Sequence, residues 1–169
     1  MRCPSEASTG FSAQANLYAD TPPGVTSDRR QLMLRGWGFN CTCSICSSAE
    51  KTAESDGRRK RINSLLQEIA VQKDDNPKKV DTLADKLLEL VELEHMAPVQ
   101  ARYYEFLADA YRYMGDFKKA WKNGKLALEF WLRYEGEDSE HIDDVMAFLT
   151  RLMRRRKRAQ PTHQGAQTR

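Results

Sequence analysis

No apolar run in the 169 residues approaches the roughly 18–20 residues of a membrane-spanning helix. The sequence therefore offers no helical membrane span. The first 20 residues hold neither an apolar stretch nor a basic leader, so a secretory signal is not expected. Excess charge of one sign is also scarce. The 27 basic and 24 acidic residues leave only +3, too balanced to imply nucleic-acid binding from composition. Cysteine is rare, with four in the chain, and Cys41, Cys43 and Cys46 are crowded into six residues. That crowding suits an intracellular thiol or metal site better than the spread cysteines of a secreted disulfide frame, and places the chain in the nucleus or cytoplasm. Strand patterns are missing after residue 26.

The remaining sequence is helical in pattern, with 40% hydrophobic residues, enough for a packed core. Residues 1–25 read as an irregular segment rich in Ser, Thr, Ala, Gly and Pro, closed by Pro22-Pro23-Gly24. Residues 26–50 read as a short helix capped by Thr26 or Ser27, stopped by Gly36 and Gly38, and followed by the Cys-rich loop. Ile62, Leu65, Leu66, Ile69 and Ala70 lie on one face of the next helix. Asn76-Pro77 restarts the chain, since Asn caps well and Pro fits the first helical position. Val80, Leu83, Ala84, Leu87, Leu88 and Val91 form the following stripe, and Ala97-Pro98 marks its boundary. Three further helices follow. The first carries Ala101, Tyr104, Leu107, Ala108, Tyr111 and Met114, and the second Phe117, Ala120, Trp121, Ala127, Leu128 and Trp131. The last places Ile142, Val145, Met146, Leu149, Leu152 and Met153 inside. Gly115-Asp116, Gly136 and Ser139 punctuate them. Residues 159–169 read as a disordered tail.

The spacing Tyr104, Leu107, Ala108, Tyr111, Gly115, Phe117, Ala120, Ala127, Leu128 resembles one tetratricopeptide unit. Small Ala108 and Ala120 let two antiparallel helices approach, and Gly115 supplies the turn. Gly124 departs from the usual bulky residue and is expected to weaken or bend the second helix. One such unit cannot bury its own faces, so the helices at 77–95 and 139–156 are its expected neighbours. The expected fold is all-α, an antiparallel helix-hairpin stack over 55–158. Its aromatic stripe is read as core. The alternative is a concave peptide-binding face for a protein partner, whose polar lining the sequence does not identify.

Three thiolates at i, i+2 and i+5 can wrap one zinc ion, but a structural site takes four ligands. The fourth is open between Cys3, His95, His141, His163 and water. The alternative is three reduced thiols packed beside Trp37 and Phe39.

The stretch "SDRRQLMLRGWGFNCTCSICSSAEKTAESDGRRKRI" resembles the post-SET segment of SET-domain protein-lysine methyltransferases, closest to the branch related to SET and MYND proteins, fungal-like forms especially. Arg30-Gln31-Leu32, Trp37-Gly38-Phe39 and the three cysteines carry the likeness, which extends over about residues 18–156. It implies that Cys41, Cys43 and Cys46 bind one zinc. It also implies that the loop walls a substrate-lysine channel and an S-adenosylmethionine pocket, with Phe39 contributing, ahead of a tetratricopeptide-like domain. Tyr18 stands where the family carries its catalytic tyrosine, and an ordinary loop tyrosine is the competing reading. The family's Asn-His-x-Cys motif, source of the fourth zinc ligand, and its Gly-rich cofactor turn do not occur here. Methyl transfer needs sulfonium and amine held in line. The expectation is thus a fragment of a larger methyltransferase gene, inactive alone, with a stand-alone interaction scaffold as the alternative.

Arg151, Arg154, Arg155, Arg156, Lys157 and Arg158 end the last helix. They read first as favourable charge at a helix C-terminus, opposite Glu140, Asp143 and Asp144 at its start. Nuclear import or phosphate contact is the weaker reading.

Overall fold

The computed structural model describes residues 27–36, 38, 41 and 43–159. The segment 1–25 and the tail beyond 159, with Cys3, Tyr18 and His163, lie outside the described residues, as do Trp37 and Phe39. Among the described residues there is no strand. Six α-helices occur: α1 (Ser27–Gly36), α2 (Ala49–Asp75), α3 (Pro77–Leu93), α4 (Gln100–Tyr113), α5 (Phe117–Tyr134) and α6 (Glu140–Ala159), with one 3-10 turn at Ala97–Val99. None is long and apolar enough to cross a membrane. The chain divides into two compact units, Met1–Gln100 and Ala101–Arg169.

In the first unit α2 and α3 form an antiparallel hairpin. Asn76 is the hinge, and its side chain accepts the Lys79 amide at 3.2 Å while Pro77 opens α3. The paired faces bury Ile62, Leu65 and Ile69 against Val80, Leu83, Ala84, Leu87 and Val91. Each such aliphatic side chain contributes about 2 kcal/mol on burial. The stripe read from sequence shifts slightly: Ala70 is exposed and Leu66 only half-buried. The helix also runs well upstream of the apolar pattern, and its buried face continues backwards in polar residues, Ser55 and Arg59. At the far end of α3 the chain turns through His95 at φ +51°. There the His95 amide donates to the Glu92 carbonyl at 2.9 Å and the Met96 amide to Val91 at 3.1 Å, a Schellman closure.

The second unit holds α4, α5 and α6. Gly115 at φ +80° joins α4 to α5, and the Asp116 amide returns to the Tyr111 carbonyl at 2.9 Å. Asp116 also caps α5, accepting the Lys119 amide at 3.0 Å. Ala101, Ala127, Trp131, Ile142, Val145 and Leu149 form the core, with Tyr104, Trp121, Leu128, Phe130 and Phe148 packed on it. Ala108 and Ala120 are buried, as the close approach of a helix pair requires.

One expectation fails here, the placing of Met146 and Met153 inside. α5 is continuous from Phe117 through Gly124 to Tyr134. Gly124 is buried against α6, where a Cβ would lie 2.8 Å from Leu149 Cδ2. The small residue leaves room for the close approach of α6. Met146 and Met153, read as inside, are 52% and 46% exposed, because they sit at the edge of the α6 stripe whose centre is Val145, Leu149 and Leu152.

Candidate metal centre

The cysteine loop is held from both sides within the first unit. Before it, α1 is fastened to α2: the Ser27 amide and hydroxyl donate to the two Asp56 carboxylate oxygens, each at 2.7 Å. One turn further on, the Gln31 side chain grips the Cys41 backbone. Its Nε2 donates to the Cys41 carbonyl and its Oε1 accepts the Cys41 amide, both at 3.4 Å. Gly38, at φ +68°, closes α1 by donating to the Arg35 carbonyl at 2.9 Å. After the loop, Ser48 caps α2 by accepting the Lys51 amide, and the Thr52 hydroxyl donates to the Ile45 carbonyl at 2.8 Å.

Between these anchors the backbone at 43–47 forms a tight turn, with the Ser47 amide donating to the Cys43 carbonyl at 2.9 Å. That turn folds the three sulfurs together. The Sγ atoms of Cys41, Cys43 and Cys46 all lie within 4.8 Å of one another. Cys41 is buried, and Cys43 and Cys46 are half-buried. The Cys46 amide donates to Cys43 Sγ at 3.4 Å. Tetrahedral zinc, with Zn–S bonds of about 2.3 Å, needs sulfurs about 3.8 Å apart. The trio meets that with a contraction of no more than about 1 Å, and all three donors are the soft ligands that zinc prefers. The cluster can therefore bind a metal such as zinc.

No other His, Cys, Asp or Glu among the described residues joins the three. Of the proposed fourth ligands, His95 serves the left-handed turn after α3. His141 belongs to the second unit, where its ring stacks on Trp131 with centroids 4.2 Å apart. Cys3 and His163 lie outside the described residues, as do the two residues given roles beside a cofactor or substrate, Tyr18 and Phe39. Arg151, Arg154 and Arg155 are exposed on α6, whose first turn is acidic at Glu140 and Asp143.

Sequence spacing pointed to the thiols but missed their supports. Gln31 is one residue of the quoted α1 motif, yet its hydrogen bonds to Cys41, ten residues on, have no local sequence signal. Asp56 sits 29 residues from Ser27, and nothing local links them. The capping serine and threonine, Ser48 and Thr52, were the accessible signal, at Ncap and one turn in.

No protein-family model, curated protein or solved structure matches the chain.

Proposed function

We propose that the chain is the C-terminal part of a SET-domain protein-lysine methyltransferase. In this reading Cys41, Cys43 and Cys46 supply three of four zinc ligands, and the helices form its tetratricopeptide-like domain. The single observation that carries it is the sulfur trio, gathered within 4.8 Å at the end of the helix bearing Arg30-Gln31-Leu32 and directly ahead of an all-helical array. The order helix, C-x-C-x-x-C loop, helical domain is the arrangement the sequence resemblance implies.

The chemistry assigned to these residues is modest. A zinc ion would cross-link the loop and hold the backbone around Phe39 in one geometry. Gln31 and the Cys46 amide orient Cys41 and Cys43 for it. S-adenosylmethionine supplies the methyl group in the family; the residues that would bind it are not among those described here. The fourth zinc ligand comes from a donor beyond the three thiols, and methyl transfer requires a cofactor-binding core in addition to these helices.

Two measurements test the proposal. The purified chain, folded with zinc, is expected to retain one ion, and X-ray absorption is expected to give three sulfurs and one lighter neighbour. Mapping the transcript's 5′ end is expected to find a SET core in frame upstream of Met1. Loss of all zinc on gel filtration sinks the metal assignment, and methylation of peptides by this chain alone sinks the division of labour.

A second reading, a helical interaction scaffold, is favoured by one observation. The second unit builds its core from its own helices, and that core holds no cysteine.

A further inference from the structure

The cysteine loop makes two of its three thiols unlike the third. The bond from the Ser47 amide to the Cys43 carbonyl, at 2.9 Å, closes one turn over residues 43–47. A turn of that kind sets residues three apart about 5 Å between Cα atoms, inside the roughly 4.4–6.8 Å that a disulfide spans. Cys43 and Cys46 are such a pair. Their side chains already share one side of the turn, because Cys43 Sγ lies 3.4 Å from the Cys46 amide nitrogen and within 4.8 Å of Cys46 Sγ. Rotation about the Cα–Cβ bonds is the movement left before the sulfurs reach the ~2.05 Å of a bond.

Cys41 stands apart from them. It precedes the turn, and Gln31 holds both its amide and its carbonyl at 3.4 Å. It is 7% exposed, whereas Cys43 and Cys46 are half-buried. A Cys41–Cys43 bridge would close a ring over one intervening residue, too short for a relaxed disulfide dihedral. Thiol oxidation follows solvent access and a second thiol placed to resolve the first product. Access and turn geometry both select Cys43 with Cys46.

We propose that Cys43 and Cys46 form a redox switch on the metal site: hydrogen peroxide joins their sulfurs as a disulfide and the ion is released. One sulfur attacks the peroxide; an S–O bond forms, the O–O bond breaks and water departs, leaving a sulfenic acid. The other sulfur attacks that sulfenic sulfur; the S–S bond forms, the S–O bond breaks and a second water leaves with the oxygen. The two sulfurs lose two electrons and the peroxide gains them. The protons taken up into the waters come from the thiols, or from solvent where the sulfurs start as zinc thiolates. Zinc is held by thiolates, not by disulfide sulfurs, so only Cys41 of the trio remains as a ligand. Ser48 and Thr52 fasten the start of α2 through other atoms, so the helix keeps its anchor while the loop loses its cross-link. An accessible disulfide is also the kind that dithiols reduce readily, which makes the step reversible. The release of the ion rests on the three-thiol zinc reading; the pairing rests on the turn alone.

The test uses the full chain with Cys3→Ser, which leaves the three loop cysteines, as zinc-loaded and as zinc-free reduced samples. After peroxide treatment, remaining thiols are blocked with iodoacetamide. Disulfides are then reduced with dithiothreitol and labelled with N-ethylmaleimide. In both samples the tryptic peptide Gly36–Lys51, read by tandem mass spectrometry, is expected to carry acetamide on Cys41 and maleimide on Cys43 and Cys46. The loaded sample is expected to lose its zinc to a chromogenic chelator in step with that labelling, and to bind zinc again after dithiothreitol. Cys41→Ser is expected to keep the bridge, and Cys46→Ser to give no double maleimide label. The proposal is overturned by a bridge that includes Cys41 in preference to the pair, by loss of the bridge in Cys41→Ser, or by sulfinic or sulfonic acid in its place. Three acetamide labels in the peroxide-treated zinc-free sample also overturn it, as does zinc retained by the loaded sample under conditions that bridge the zinc-free one. A chain that bridges without ever holding zinc supports the pairing and sinks the metal assignment alone, so the two failures are told apart.

Discussion

Glu94 is the residue on which the first hairpin turns. Its side chain is 1% exposed and accepts from Ser55 Oγ at 2.7 Å, Arg58 Nε at 2.6 Å and Arg59 Nε at 2.9 Å. Three donors answer one buried carboxylate, so its desolvation is compensated; removing it takes a carboxylate partner from Arg59, itself 10% exposed. Glu94→Ala is expected to lower the unfolding free energy by about 3 kcal/mol, the usual loss when one partner of a buried pair is deleted, as read from urea titration. The apolar pattern did not announce this cluster. Its only trace is register: Ser55, Arg58 and Arg59 lie seven, four and three residues before Ile62, on the same helical face, and a polar residue in a buried register has no partner until a second helix provides one. Glu105 supplies a pH test. Its folded pKa is raised by burial, so the native state binds its proton more tightly than the unfolded chain does. Stability should be fullest below the ordinary carboxyl value of 4.5 and fall as pH climbs through the range just above it. That fall is expected to be smaller in Glu105→Gln when unfolding curves are compared point by point.

At the scale of the element, the local rules hold well. Ser48, Asn76 and Asp116 each cap the helix they precede, and Gly115 and Gly136 take the left-handed backbone at helix ends. These signals are short-range, which is why the sequence discloses Asn76, Gly115, Asp116 and Gly136. His95 is the exception: it occupies the left-handed position that Gly115 fills after α4, with the same pair of closing hydrogen bonds. A β-carbon in that conformation costs about 1 kcal/mol. His95→Gly is therefore expected to stabilise the first unit by up to about 1 kcal/mol, and Gly115→Ala to destabilise the second by a similar amount, both by chemical denaturation. α1 depends on a remote partner. Asp56→Ala removes both acceptors of Ser27. The expected result is faster hydrogen exchange in α1 with α2 and α3 little changed; uniform loss of protection across the hairpin would refute a local tether.

At the scale of the whole molecule, the core of the second unit holds no thiol. Ile62, Leu65, Ile69, Val80, Leu87 and Val91 bury themselves in one unit, and Trp131 and its neighbours in the other, without contribution from Cys43 or Cys46. Removing metal with a strong chelator is expected to leave the far-UV circular dichroism nearly unchanged, unlike a zinc finger, whose fold is the metal's own free energy. What should change is reactivity: thiol titration is expected to rise, with the half-buried Cys43 and Cys46 reacting ahead of the buried Cys41. Collapse of the helical signal on chelation would contradict that expectation.

The sequence by itself marked the breaks at Asn76-Pro77, Gly115-Asp116 and Gly136, the helix pair either side of Gly115, and three sulfurs close enough to share an ion. Each depends on residues a few positions apart, where spacing along the chain is nearly spacing in space. Only the tertiary structure decided what opposes each face. It left Met146 and Met153 at the surface, set Gly124 against α6, and supplied Glu94 to Arg58 and Arg59. Periodicity assigns residues to a common side of a helix; the approach of another helix, a matter of distant chain and of volume, settles whether that side is core, salt bridge or exposed surface.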